Sequence, residues 1–187
     1  MKREDSLTST LTQLRDKAYN DAKEKGFHDK EYPDEHWLML IVCEIAEAVE
    51  ADRQGRRARM ADYDGMPNSV GFRMYVKDTV EDELADVCIR VLDFLGLKKV
   101  GVRENIDKLV EFSANAYRGS ESFCETMLAF TSCLLNYDYR DRCDASTNSL
   151  LIVVFAYCRL HNIDILRHIK LKMNYNKSRP KLHGKLY

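Results

Sequence analysis

The stretch HWLMLIVCEIAEAVEAD, residues 36–52, decides the fold. It is apolar enough to form a buried helix, yet Glu44 and Glu47 lie three residues apart in it and therefore on one helix face. Further along the chain, EDELADVCIRVLDFLG, residues 81–96, repeats this arrangement with Glu83 and Asp86. A buried carboxylate is costly unless it is paired or ligated. The two pairs therefore predict two neighbouring helices with something cationic between them.

Apolar residues follow helical spacing along almost the whole chain, so the sequence predicts an all-α helical bundle. We expect helices at about residues 6–25, 34–55, 78–95, 103–117, 121–137, 146–161 and 163–178. Gly26 and Gly96 are expected to end the first and third of them.

Two segments lack this pattern. Residues 55–77 contain Gly65, Pro67 and Gly71 without a steady period, which predicts an irregular loop with at most a short element. The basic tail RPKLHGKLY, residues 179–187, is expected to be extended.

The overall composition limits the function. The length of 187 residues fits a single domain, and 45% apolar residues can build a core. A net charge of -1 gives no basic field, so stable nucleic-acid binding is not expected. No apolar run approaches the roughly 20 residues that span a bilayer, and the N-terminus lacks a signal-peptide core, so no membrane association is expected. Six cysteines without a CxxC pair favour a reducing, cytoplasmic location.

The paired acids predict a metal site. Four carboxylates that face each other across two helices repel strongly unless a cation lies among them. Oxygen-only ligands suit a hard cation, which favours Mg²⁺, with Mn²⁺ as a substitute. The competing interpretation is a solvated acidic face, because Asp82 and Arg90 are helical neighbours of Asp86. A ferritin-like di-iron site is disfavoured, because no Glu has His at the third following position.

The last helix carries the matching basic groups. Lys172, Asn176 and Arg179 recur at helical spacing near its end and offer hydrogen-bond donors suited to phosphate. A basic helix end favoured by the helix dipole is the simpler alternative. Asp93, two turns beyond Asp86, is either a solvated acid or a contact to a sugar or a second metal.

Three motifs together resemble the MazG-like, all-α nucleoside triphosphate pyrophosphohydrolases: EIAE at 44–47, ELAD at 83–86 and KMNYNKSRP at 172–180. The resemblance covers about residues 33–96 and 160–187. It implies that a nucleoside triphosphate is cleaved between its α and β phosphates to give a nucleoside monophosphate and pyrophosphate. The residues that it implies are the metal ligands Glu44, Glu47, Glu83 and Asp86, a base that orients or deprotonates water (Glu47 or Glu44), and the phosphate contacts Lys172, Asn176 and Arg179.

The chain departs from the family pattern in length. About sixty residues separate the ELAD helix from the closing segment, so we interpret residues 103–145 as a helical insertion in a single domain, residues 1–187. A homodimer with shared site walls is expected, because such two-helix motifs bury their apolar faces against another helix pair. The alternative function is a non-catalytic, nucleotide-sensing or protein-binding helical module. The presence of all four acids favours the enzyme.

Overall fold

The computed structural model describes residues 6–116, 122–137 and 144–186, apart from the side chains of residues 144 and 145. Within these ranges every regular element is a helix, so the prediction of an all-α bundle is confirmed. The helices are α1 (Leu7–Glu24), α2 (Asp34–Arg53), α3 (Met60–Gly65), α4 (Ser69–Tyr75), α5 (Val80–Lys98), α6 (Ile106–Ala116), α7 (Phe123–Leu135), α8 (Asp144–Leu160) and α9 (Ile165–Lys177), followed by a 3₁₀ turn (Lys181–Gly184).

Helix α5 lies at the centre of the bundle, in contact with α1, α2, α8 and α9. Its side chains are therefore buried around nearly the whole circumference, and Leu84, Val87 and Leu92 are fully inaccessible to solvent. Helix α2 runs antiparallel to it, because Asp34 pairs with Lys98 at one end of the contact while the middle of α2 meets the middle of α5. This pairing brings the two acidic motifs face to face.

The prediction of an irregular loop at residues 55–77 was wrong for residues 60–65 and 69–75, which form the short helices α3 and α4. The Asn68 side chain accepts hydrogen bonds from the first amides of α4, a strong helix start. Tyr63, Phe72 and Val76 are buried in a small separate core, and the Phe72 ring stacks on Tyr175 of α9. Burial of these aromatic rings outweighs the weak periodicity of the segment.

Gly96 does not end α5, as the sequence predicted. The helix continues to Lys98, and Lys99 ends it in a left-handed conformation. Gly96 instead lies against α1, where an added Cβ would approach the Tyr19 Cβ to 2.6 Å. The glycine is required by the close contact of the two helices rather than by a turn.

We expect Gly96→Ala to lower the free energy of unfolding by about 1–3 kcal/mol, because α1 and α5 must move apart to admit the methyl group. Gly101→Ala is the matched control, because an added Cβ there has no atom within 4 Å. Urea denaturation of both variants measures the difference. Equal stability of the two would show that α1 yields without cost.

The expected insertion at 103–145 contains α6 and α7, which pack on α8, but residues 117–121 and 138–143 of it lie outside the described residues. The expected extended tail was wrong at residues 181–184. Leu182 and His183 both have positive φ there, and the Leu182 amide donates to the Lys25 carbonyl at the end of α1. This bond folds the tail back over α1.

Among the residues that the structure describes, no single helix has the length and apolarity to cross a membrane; α8 and α9 meet such a criterion only jointly, across a bend of 113°.

Candidate functional site

Helices α2 and α5 bring three of the predicted acids together. One carboxylate oxygen each from Glu44, Glu83 and Asp86 lies within 4.8 Å of the other two. Glu44 and Glu83 are only 5% and 4% exposed, and Asp86 is half-buried. Acids this close and this buried need cationic partners, as their spacing in the sequence indicated.

Glu47, the fourth predicted acid, occupies a different position. Its side chain is exposed and lines the same cavity, but it does not belong to the group of three. It is near enough that its charge contributes to raising the pKa of both Glu44 and Glu83.

Two cations of the protein already contact the acidic group. Arg90 Nε donates to Glu44 Oε1 at 2.6 Å. Lys172 Nζ lies 2.6 Å from Asp82 Oδ2 and 2.6 Å from Asp86 Oδ2. Lys172 is 4% exposed, so the predicted phosphate contact is buried within the acidic cluster.

Sequence reasoning did not identify Asp82 or Arg90 as site residues. It took both as signs of a solvated face around Asp86. In the structure Asp82 is 1% exposed, and its Oδ1 is buried without a hydrogen-bond partner among the residues that the structure describes. The available signal was their helical spacing from Asp86, which places all three residues on one side of α5.

Burial dominates the electrostatics of the acids. It raises the pKa of Glu83 to about 8, although Lys172 opposes the shift. Burial also raises the pKa of Glu44, assisted by Asp86 and opposed by Arg90. The pKa of Asp82 rises to about 6 for the same reason, against the attraction of Lys172.

The acidic group forms part of the wall of a cavity of about 630 Å³, roughly the size that a small-molecule ligand needs. Both acidic and basic side chains line it, with a few apolar ones. The lining residues are Ala18, Asp21, Ala22, Glu24, Lys25, Phe27, Glu44, Glu47, Lys77, Asp78, Glu83, Asp86, Ile89, Arg90, Asp93, Lys172, Met173, Asn176, Lys177, Arg179, His183 and Lys185.

The basic wall is built by α9 and the tail. Arg179 Nη1 donates to Asn176 Oδ1 at 3.3 Å, so two predicted phosphate contacts touch each other. Lys25 Nζ donates to the carbonyls of Lys177 and Arg179 at 2.8 and 2.7 Å, which fixes the end of α9 to the end of α1. Burial and the neighbouring Arg179 lower the pKa of His183 to about 4, so its ring is neutral at pH 7.

The donor set around Glu44, Glu83 and Asp86 fits a hard divalent cation, because it supplies only carboxylate oxygens. A second group of acids, Asp78, Asp82 and Glu83, shares Glu83 with the first.

Comparison with known proteins gave no match of any of the three kinds sought: a protein-family model, a curated protein or a solved structure.

Proposed function

We propose that the protein is a Mg²⁺-dependent nucleoside triphosphate pyrophosphohydrolase, which cleaves the α–β phosphate bond to give a nucleoside monophosphate and pyrophosphate. The observation that carries the proposal is the joining of three clustered carboxylates, two of them buried, and a basic wall in one cavity. Carboxylates alone suit a metal, and arginine and lysine alone suit an anion. Their combination favours a metal-bound polyphosphate.

Glu44, Glu83 and Asp86 would hold the metal in this proposal. When bound, Mg²⁺ supplies charge neutralisation for the phosphates and lowers the pKa of a coordinated water. Arg90 holds Glu44 in place through its hydrogen bond and keeps that buried carboxylate compensated.

Glu47 is suited to orient or deprotonate the attacking water. It lies outside the group of three, lines the cavity and is exposed to solvent. A general base needs access to the proton that it takes, which the buried Glu44 and Glu83 have to a much smaller degree.

Asn176 and Arg179 are the phosphate contacts in this proposal. Both line the cavity from the end of α9, and the guanidinium fork matches phosphate oxygens. Lys172 has a different part, because its ammonium group contacts Asp82 and Asp86 and compensates their charge.

One observation favours the second candidate, a non-catalytic nucleotide-sensing or protein-binding module. Arg90 and Lys172 already pair with members of the acidic group, so the cluster is compensated by the protein itself. Such a site can serve as a structural salt-bridge network without a metal. The enzyme releases pyrophosphate from a nucleotide, whereas the non-catalytic module does not.

A pyrophosphate-release assay over the common ribonucleoside and deoxyribonucleoside triphosphates, with Mg²⁺ and with EDTA, tests the proposal. The enzyme requires release that depends on Mg²⁺ and stops in EDTA. Nucleotide binding without release would instead support the sensing module. If Mg²⁺ and nucleotides neither bind nor raise the melting temperature, the enzyme and the nucleotide-sensing module both fail, and only the protein-binding module is left.

We expect Arg179→Ala to raise KM about tenfold or more with little change in melting temperature, because a hydrogen bond from a charged donor to phosphate is lost. Its contacts within the protein are long, at 3.3 and 3.4 Å, and contribute little to stability. Lys170→Ala, which removes an exposed cation of α9, is the control. A lowered melting temperature with unchanged kinetics would make Arg179 structural.

The homodimer also remains a proposal. Exposed apolar side chains on both helices of the insertion support it: Phe112 of α6 is 74% exposed, and Leu128 and Leu135 of α7 are 68% and 78% exposed. Surfaces of this kind are commonly covered by another chain.

A further inference from the structure

Asp93 is a buried carboxylate on the cavity wall that the proposed chemistry does not use. It is 8% exposed and lines the cavity together with Ile89 and Phe27. A carboxylate in such surroundings is costly to keep unless it has a specific donor. Its position on the cavity wall therefore makes it a candidate for contact with a ligand.

Asp93 lies on the same face of α5 as Glu83 and Asp86, two of the proposed metal ligands. Glu83, Asp86, Arg90 and Asp93 recur at intervals of three and four residues along α5, and all four line the cavity. Seven residues separate Asp86 from Asp93, which corresponds to roughly 10 Å along a helix. This distance allows one ligand to place its polyphosphate at the acidic group and its nucleoside at Asp93.

The surroundings of Asp93 fix its carboxylate in place. His28 Nε2 lies 2.7 Å from Asp93 Oδ1, in a hydrogen bond whose acceptor is the carboxylate. The His28 ring is itself held between Tyr19 and Trp37, with ring centroids 5.1 and 4.9 Å away. Within the described ranges the Asp93 side chain has no second hydrogen-bond partner, so Oδ2 can still accept a hydrogen bond from a ligand in the cavity.

We infer that Asp93 accepts a hydrogen bond from the nucleoside part of the substrate, and that His28 is the positioning residue that orients its carboxylate. The inference rests on the proposed function in that the ligand is a nucleotide, but it concerns recognition rather than hydrolysis. A carboxylate only accepts, so the ligand group must be a donor: a sugar hydroxyl or an N–H of the base. Asp93 therefore makes the site specific for a nucleoside over a bare polyphosphate.

Binding measurements separate this inference from catalysis. Titration calorimetry with Mg²⁺ compares an α,β-imido nucleoside triphosphate, which resists cleavage, with inorganic tripolyphosphate, which has no nucleoside. We expect Asp93→Asn to weaken the nucleotide about 10- to 100-fold, the usual loss for a hydrogen bond to a charged group, and to leave tripolyphosphate unchanged. Asp16→Asn, which alters an exposed acid of α1, is the control and is expected to change neither.

The two sources of the donor give different results in the same assay. If the donor is the sugar 3′-hydroxyl, the wild type binds the 2′,3′-dideoxynucleotide as weakly as Asp93→Asn binds the parent, and the two losses do not add. If the donor is an N–H of the base, the dideoxynucleotide binds normally and the preference among bases disappears in Asp93→Asn.

His28 is tested by substitution with Phe and with Gln. Phe keeps the ring packing but removes the donor, so nucleotide affinity is expected to fall while tripolyphosphate affinity stays. Gln restores an N–H donor and is expected to recover part of the loss. A residue that only supports the fold would weaken both ligands equally, and it would not be rescued by Gln.

Unchanged nucleotide affinity in Asp93→Asn, or equal weakening of both ligands, overturns the inference even when the wild type releases pyrophosphate. Selective loss of nucleotide affinity in a protein without turnover upholds the inference and rejects the hydrolase. Equal affinity of the wild type for tripolyphosphate and the nucleotide also overturns the inference, because Asp93 then contributes nothing to binding of the nucleoside. These results do not depend on whether the substituted chain is active.

Discussion

A Glu83→Gln variant is expected to lose Mg²⁺-dependent pyrophosphate release by about 10³-fold, because metal assistance contributes several kcal/mol of transition-state stabilisation. The same variant is expected to melt at a higher temperature than the wild type in EDTA. Glu83 is 4% exposed and faces Asp86, Asp82 and Glu47, all of which carry the same charge. Glutamine keeps the shape of the side chain and removes first the cost of burying a carboxylate and then this repulsion.

The gain in stability is expected to depend on pH. Burial raises the pKa of Glu83 from 4.5 to about 8, so the folded state holds its proton more tightly than the unfolded state. The wild type therefore loses stability as pH rises from about 4.5 to about 8. The difference between variant and wild type in EDTA is small at pH 4 and grows towards pH 8. Melting curves by circular dichroism at several pH values measure it.

Added Mg²⁺ is expected to reverse the order of the melting temperatures that the two proteins show in EDTA. It is expected to raise the melting temperature of the wild type and to have little effect on Glu83→Gln, because ligand binding stabilises only a protein that binds. Glu104→Gln changes an exposed glutamate and is the matched control. If Glu83→Gln keeps full Mg²⁺-dependent turnover, the acidic group is a salt-bridge network and the metal site is elsewhere.

The second large effect is expected at Lys172. Lys172→Met removes the cation that lies between Asp82 and Asp86 and leaves a carboxylate that is 1% exposed without its ion pair. Breaking a buried pair by removing one partner typically costs about 3–5 kcal/mol. We expect a loss of that size in the free energy of unfolding, measured by urea denaturation.

A second substitution makes this test specific. Asp82→Asn in the Lys172→Met background removes the uncompensated charge, so it is expected to recover more than half of the lost stability. Lys170→Met, at an exposed position of the same helix, controls for the change in helix composition. If Lys172→Met has normal stability and a much higher KM, Lys172 contacts the phosphates of the substrate, as the sequence predicted.

The sequence predicted the α2–α5 core of the fold well, because its signals are strong and local. The apolar stripes fixed two long helices, and the spacing of Glu44, Glu83 and Asp86 placed their carboxylates on facing sides. The start of α1 after Ser6 fits the hydrogen bond that the Ser6 side chain accepts from the Ser9 amide. Pro33, whose ring fixes φ, directly precedes the first residue of α2.

The remaining features depend on tertiary contacts that no local pattern contains. Gly96 is typical of a helix end, and only the approach of Tyr19 shows why a glycine occurs inside α5. The short helices α3 and α4 depend on burial against α9. Lys172 and Asn176 look equivalent in the sequence, yet the ammonium of Lys172 turns towards α5 because Asp82 is buried there.

The balance of charge around the cavity has a consequence for the speed of association. Among the described residues, eight carboxylates line it (Asp21, Glu24, Glu44, Glu47, Asp78, Glu83, Asp86 and Asp93), against seven lysine and arginine side chains. A cavity with nearly equal numbers of both signs exerts little long-range pull on a free polyanion. The association rate is therefore expected to depend only weakly on ionic strength. A nucleotide whose charge is reduced by a bound counterion is repelled less by this mixed lining than it would be by a purely acidic one.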